Sequence, residues 1–133
     1  MSMIANHDKF LRNVLLIDAA TCIATGLLMT LATGLLANLT QLPPELLRTA
    51  GLSLFPIAAF IAFVATRAEL SRAGVWLVIL GNVGWVGASL GVLLGGAVSP
   101  NILGYAFVLA QALAVAVLAE LEFTCVRKIG AAA

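Results

Sequence analysis

The sequence predicts an all-α fold: a transmembrane bundle of four antiparallel helices in up-down order, forming one membrane domain over residues 1–133. Three observations carry this reading. Hydrophobic residues make up 62% of the chain and charged residues 10%, against about 25% charged residues in a soluble domain, so there is too little polar surface to face water. The apolar residues fall into four stretches that each approach the roughly 20 residues needed to cross a bilayer. Prolines, glycines and charges separate those stretches where helices would have to stop.

Span 1 is predicted over residues 14–36. Lys9 and Arg12 precede it in the manner of a signal peptide, but the apolar run from Val14 to Ala37 is too long for a secretory core and contains Asp18, so it reads as a retained helix. Asn38 to Gln41 and the pair Pro43-Pro44 then interrupt the pattern. Proline is favoured in a first helical turn, which starts span 2 near Pro44 and carries it over residues 44–66. Pro56 falls in its middle and should kink it, with Ser53 placed to help satisfy the freed carbonyls. After the polar turn Arg67 to Arg72, span 3 covers residues 74–94 and ends at Gly95-Gly96. Ser99-Pro100 reads as an N-cap with a first-turn proline, placing span 4 over residues 100–124.

Charge placement predicts an orientation. Lys9, Arg12, Arg67, Arg72, Arg127 and Lys128 fall on one side and Arg48 alone on the other. The positive-inside rule then puts both termini in the cytoplasm. Trp76 and Tyr105 lie near opposite interfaces, as amphipathic aromatics prefer.

Ionisable and amide groups inside a span are expensive and so are candidates for function. Asp18 is placed about 6 Å inside span 1, on a face shared with Thr21, Cys22, Thr25, Met29 and Thr33. One reading pairs its charge with Arg67 or Arg72 from the neighbouring turn; the other makes it a proton- or cation-coupled carboxylate. Asn82 and Gln111 sit at similar depth on spans 3 and 4, where a mutual hydrogen bond would satisfy both amides. The deep Trp85, one turn from Asn82, needs an acceptor for its indole N–H, with Gln111, a carbonyl or a ligand as alternatives. Glu120 and Glu122 point to different sides of span 4 and are expected to reach the surface as a solvated or Arg-paired collar. If Glu122 instead approaches Asp18, the two carboxylates could share a proton.

Gly84, Gly87, Gly91 and Gly95 make a small-residue strip on span 3, opposite the face of Asn82, Trp85 and Ser89. Such strips let helix backbones approach closely. An outward strip predicts a homodimer or docking on a larger membrane complex; a central span 3 would bury both faces within one chain.

The chemistry that is missing narrows the function classes. His7, the sole histidine, precedes the spans, so the pattern offers no bis-His haem or histidine-based metal site. Cys22 and Cys125 form no CxxC and read as reduced thiols. No Ser/His/Asp set, HExxH or phosphate-binding glycine loop is present, and no cofactor is expected. A net charge of +1 without a clustered basic face argues against nucleic acid.

The stretches Ala50-Gly-Leu-Ser-Leu-Phe-Pro56, Asn82-Val-Gly-Trp-Val-Gly-Ala-Ser89 and Gly104-Tyr-Ala-Phe-Val-Leu-Ala-Gln-Ala112 resemble small uncharacterised four-span integral membrane proteins of bacteria. That resemblance implies the topology and no activity. In size and span number the chain is also similar to DoxX-like proteins, without their opening motif. It likewise has the dimensions of small multidrug exporters, where Asp18 is the position that could correspond to their span 1 carboxylate. The leading functional expectation is a non-enzymatic structural or accessory protein that binds other membrane helices. The alternative is a small proton- or cation-coupled transporter using Asp18 with Asn82 and Gln111. A quinone- or lipid-modifying enzyme is a third, since apolar substrates need few polar residues.

Overall fold

The computed structural model describes residues 2–132, and the side chains of residues 8–128. His7 lies outside the residues whose side chains are described. Five helices follow in order: α1 (Ser2–Leu31), α2 (Thr33–Thr40), α3 (Pro44–Thr66), α4 (Arg72–Leu94) and α5 (Ile102–Ala132). Within them Asp8–Leu31, Pro44–Thr66, Arg72–Leu94 and Ile102–Lys128 are long and apolar enough to cross a membrane. The chain is therefore an all-α, multi-pass four-helix bundle. Leu31, Leu94 and Ile102 are more than four-fifths exposed, a placement that suits hydrocarbon and would be costly in water.

Three boundaries differ from the sequence pattern, each for a local reason. Ahead of Val14, Leu11 continues the buried stripe of α1. The helix breaks at Ala32 (φ −110°, ψ 27°). The hydroxyls of Thr30 and Thr33 donate to the carbonyls of Gly26 (2.7 Å) and Met29 (2.6 Å) in the preceding turn, a back-bonding that bends helices. At α4, Ser71 caps by accepting from the Gly74 N–H at 3.0 Å, so the helix begins at Arg72. The expected Ser99-Pro100 cap of α5 is displaced to Asn101, whose Oδ1 accepts from the Gly104 N–H at 2.9 Å. Asn101 also donates from Nδ2 to Leu39 O and from its backbone N–H to Thr40 O, which ties the start of α5 to the end of α2. α3 spans Pro44 to Thr66 as expected, with Pro56 inside it; the Ser53 hydroxyl donates to Ala50 O at 2.6 Å rather than to the Leu52 carbonyl that Pro56 frees.

α1 packs along α3 and, on its other side, along α5; α4 packs mainly along α5. The α1–α3 crossing is close because it is built on glycine. A Cβ on Gly51 would stand 2.9 Å from Met29 Cβ and 3.0 Å from Thr30 Cγ2, and one on Gly26 would stand 3.0 Å from Gly51 O. By contrast α3 and α4, although joined by a short turn, touch only weakly, with Val64 against Gly74 beside that turn. One end of the bundle carries Lys9, Arg12, Arg67, Arg72, Arg127 and Lys128. At this basic end Arg12 donates to the carbonyls of Ala65 and Arg67 and so caps the C-terminus of α3 from α1.

Candidate functional site

The face of α1 that carries Asp18, Cys22, Met29 and Thr33 turns inward, with Asp18 1% exposed. On α5 the face of Gly104, Phe107, Gln111, Val115 and Leu118 also turns inward and ends at Glu122, which is 0% exposed. The predicted surface collar therefore holds for Glu120, which is exposed, and fails for Glu122. Two hundred degrees of helical phase separate the two, and the inward phase wins for Glu122 because Asn82 is there to meet it.

Asn82, buried on α4, donates from the same Nδ2 to Asp18 Oδ2 at 2.8 Å and to Glu122 Oε1 at 2.9 Å. One amide thus bridges carboxylates from two other helices, bringing Asp18 Oδ2 and Glu122 Oε1 to the same nitrogen. Cys22 Sγ lies 3.8 Å from Asp18 Oδ1, and Cys125 is buried on the Glu122 side. The expected ion pair of Asp18 with Arg67 or Arg72 does not form. Arg67 lies over the Phe63 ring at 4.4 Å and Arg127 over Phe123 at 5.2 Å; a helix-end guanidinium reaches backbone carbonyls and rings at its own level more easily than a carboxylate a helical turn or more below. Among the described residues no ion pair reaches either carboxylate, and Glu122 Oε2 is a buried oxygen with no hydrogen-bond donor.

The expected Asn82–Gln111 bond is also replaced. Gln111 accepts from Trp85 Nε1 at 2.6 Å and donates to Ser89 Oγ at 3.0 Å, while Ser89 donates to Trp85 O at 2.8 Å. The antiparallel depth match was correct to about one turn, and in that turn Trp85 stands between the amides. Of the alternatives for its indole, Gln111 is the acceptor. The result is two stacked polar layers: an acidic layer of Asp18, Asn82 and Glu122 toward the basic end, and a neutral layer of Trp85, Ser89 and Gln111 above it.

Two cavities flank these layers in the seam between α3 and α4. The first, about 70 Å³, is bordered by Asp18, Thr25 and Asn82 at its polar end and by Leu54, Val115 and Leu118 on its walls. Exposed Ile57 from α3 and Gly81 from α4 also border it. The second, about 140 Å³, is almost wholly apolar, with Met29, Leu46, Leu47, Val92 and Phe107 among its walls. Trp85 and Gln111 border both and form the partition between them. Thr21 stands at the exposed edge of the first cavity and donates to Asp18 O at 2.8 Å.

Gly84, Gly87, Gly91 and Gly95 are exposed, and a Cβ on Gly84, Gly87 or Gly91 would meet nothing within 4 Å. The strip faces away from the bundle, so the reading in which span 3 buries both faces within one chain does not hold. The glycines that bring α1 and α3 together, Gly26 and Gly51, belong to no glycine repeat of spacing four. Cys22 and Ser89 belong to the site as well, and both were legible as members of the inward helical faces. Among the described residues no group of three His, Cys, Asp or Glu side chains is placed to hold a metal ion. No family model, curated protein or solved structure matches the chain.

Proposed function

We propose that this protein binds and exchanges protons at the Asp18–Glu122 pair and works as a small proton-coupled carrier. The observation that carries the reading is the bridged acid pair itself: two buried carboxyl groups on one amide donor, with Glu122 Oε2 left without a partner. Burying two carboxylate charges without a cation is far costlier than burying one shared proton. A proton held by the pair adds a donor to a layer in which Oε2 has none. The groups facing the pair add no compensating charge: Cys22 from α1, neutral Asn82 from α4, Cys125 from α5, and Leu54 and Ile57 at the cavity wall from α3. An intramembrane acid with a discharged and a charged form beside a cavity is the element that proton-coupled transport requires.

The basic end, with six Lys and Arg residues against Arg48 opposite, supports placing both termini in the cytoplasm of a bacterial inner membrane. Accessibility of single cysteines introduced at Ser71 and Gln41 to an impermeant thiol reagent checks this: cytoplasmic Ser71 is protected in intact cells and Gln41 is labelled. For function, the protein is reconstituted in liposomes enclosing a pH-sensitive dye, and a potassium diffusion potential drives proton entry. Flux above that of protein-free vesicles, lost in Asp18→Asn and in Glu122→Gln, is the expected result. Background flux in the wild type, or equal flux in both variants, refutes it.

The outward glycine strip favours a second reading, in which the chain is an accessory subunit or self-associates through α4. Crosslinking through cysteines at Gly87 and Gly91 in native membranes tests it, and the absence of any adduct counts against it.

A further inference from the structure

Resting on the proton-binding reading, we propose that the substrate exchanged for the proton is a lipophilic organic cation bearing ammonium N–H groups, seated with its charge on Asp18 and its apolar body in the α3–α4 seam. Three observations select this class. The first cavity is bordered by Asp18 and Asn82 and by no Lys or Arg, and neither is the second, so an anion finds only carboxylates and apolar walls. The acid layer has more acceptors than donors: one Nδ2 serves two carboxyl groups, and Glu122 Oε2 has none. An ammonium group brings donors and a positive charge to that deficit, whereas a neutral lipid brings neither. Hard divalent cations take six or more oxygen ligands, and among the described residues no group of three His, Cys, Asp or Glu side chains is placed to hold a metal ion.

The volumes divide the ligand. An apolar cavity of about 150 Å³ holds a benzene-sized molecule, so the upper cavity of about 140 Å³ accepts a ring. The lower one, about 70 Å³, accepts the ammonium end. Trp85, common to both, presents its ring beside the path of the charge, where a cation is attracted to the indole face. Because α3 and α4 touch only near their turn, the seam offers entry from the side, and Ile57 and Gly81 on its rim are exposed. The exchange balances in atoms and charge: one ammonium cation enters the first cavity, an N–H group bonding Asp18, and the pair's shared proton leaves to water.

The test uses the purified full chain with Trp76→Phe, so that fluorescence reports Trp85; Trp76 packs against Phe123 at 5.6 Å, outside both cavities. The probes are 2-phenylethylammonium, the neutral 2-phenylethanol, phenylacetate and sodium chloride. The expected result is saturable quenching by 2-phenylethylammonium with release of up to one proton per chain, and at least tenfold weaker binding of the other three. Asp18→Asn should weaken binding tenfold or more and abolish proton release. Leu54→Phe, which narrows the first cavity, should weaken binding of 2-phenylethylammonium tenfold or more. Equal binding of the alcohol, or displacement of the probe by equimolar sodium, overturns the proposal. No binding of any probe by a wild type that still conducts protons overturns the substrate class and leaves the proton reading standing; loss of proton flux as well overturns both.

Discussion

Asn82→Ala is the sharpest test of the acid layer. The substitution keeps a strong helix former on α4 and removes the single Nδ2 that donates at 2.8 Å to Asp18 and at 2.9 Å to Glu122. Hydrogen bonds between membrane helices are worth about 0.6 kcal/mol on average and up to about 1.7 kcal/mol. Both bonds here are buried and end on carboxyl oxygens, which places them in the upper part of that range. Their combined loss is expected to cost about 2–3 kcal/mol. Little is added for a new void, since Asn82 already borders a cavity of about 70 Å³ and truncation widens it rather than opening one in packed surroundings.

The assay is reversible unfolding in mixed detergent micelles followed by helical circular dichroism, combined with double-mutant cycles. Coupling of at least about 0.5 kcal/mol is expected between Asn82→Ala and Asp18→Ala, and again with Glu122→Ala. The cycle with Gln111→Ala should be additive within about 0.5 kcal/mol, because Gln111 bonds Trp85 and Ser89 instead. A total cost below about 0.5 kcal/mol, or coupling greatest with Gln111, refutes the bridged arrangement.

Four further outcomes follow from the contacts described above. Gly51→Val should destabilise the bundle by about 1–3 kcal/mol through overpacking, since its Cβ would meet Met29 Cβ at 2.9 Å. Gly87→Ala, with nothing within 4 Å, should stay within about 0.5 kcal/mol of wild type in monomeric protein; both are read by thermal unfolding in detergent. Asn101→Ala should cost about 0.5–2 kcal/mol for the lost helix cap, and faster backbone amide exchange at Gly104 would locate the effect there. Trp85→Phe should free Gln111 from its 2.6 Å bond, visible as a shift and broadening of the Gln111 side-chain amide resonances, with Asp18-dependent proton flux retained.

The bundle was legible because membrane helices must satisfy their backbone internally and announce themselves by length and hydropathy. Pro44 marked the start of α3 to the residue, and the inward faces of α1 and α5 followed from helical phase alone. What phase cannot give is the identity of a partner on another helix. Asp18 had arginines nearby in depth and Asn82 had Gln111; choosing between them depends on how far each helix slides along its neighbours, and a slide of one turn exchanges every pairing. Glu122 was misplaced for a related reason. Its distance from Lys128 fits a snorkelling carboxylate, and only the position of Asn82 explains why it stays inside. The break at Ala32 was missed because no proline marks it, the bending being done by threonine hydroxyls.

The architecture concentrates a functional burden on one side chain. α4 leans on α5 and barely touches α3, and among the described residues the Asn82–Asp18 bond is the hydrogen bond that joins it to α1. Whatever changes the charge on Asp18 or Glu122 therefore acts on the polar tie that holds α4 across the bundle. With one proton shared, the pair holds a single charge spread over two carboxyl groups; with that proton released both are carboxylates and each bond from Asn82 is charge-assisted, the class roughly twice as strong as a neutral one. The seam beside Trp85 lies between the helix that this bond restrains and the helix it does not reach. Coupling between proton occupancy and access to the α3–α4 seam then needs no long-range pathway, because the titrating group and the restraint on α4 are the same pair of atoms.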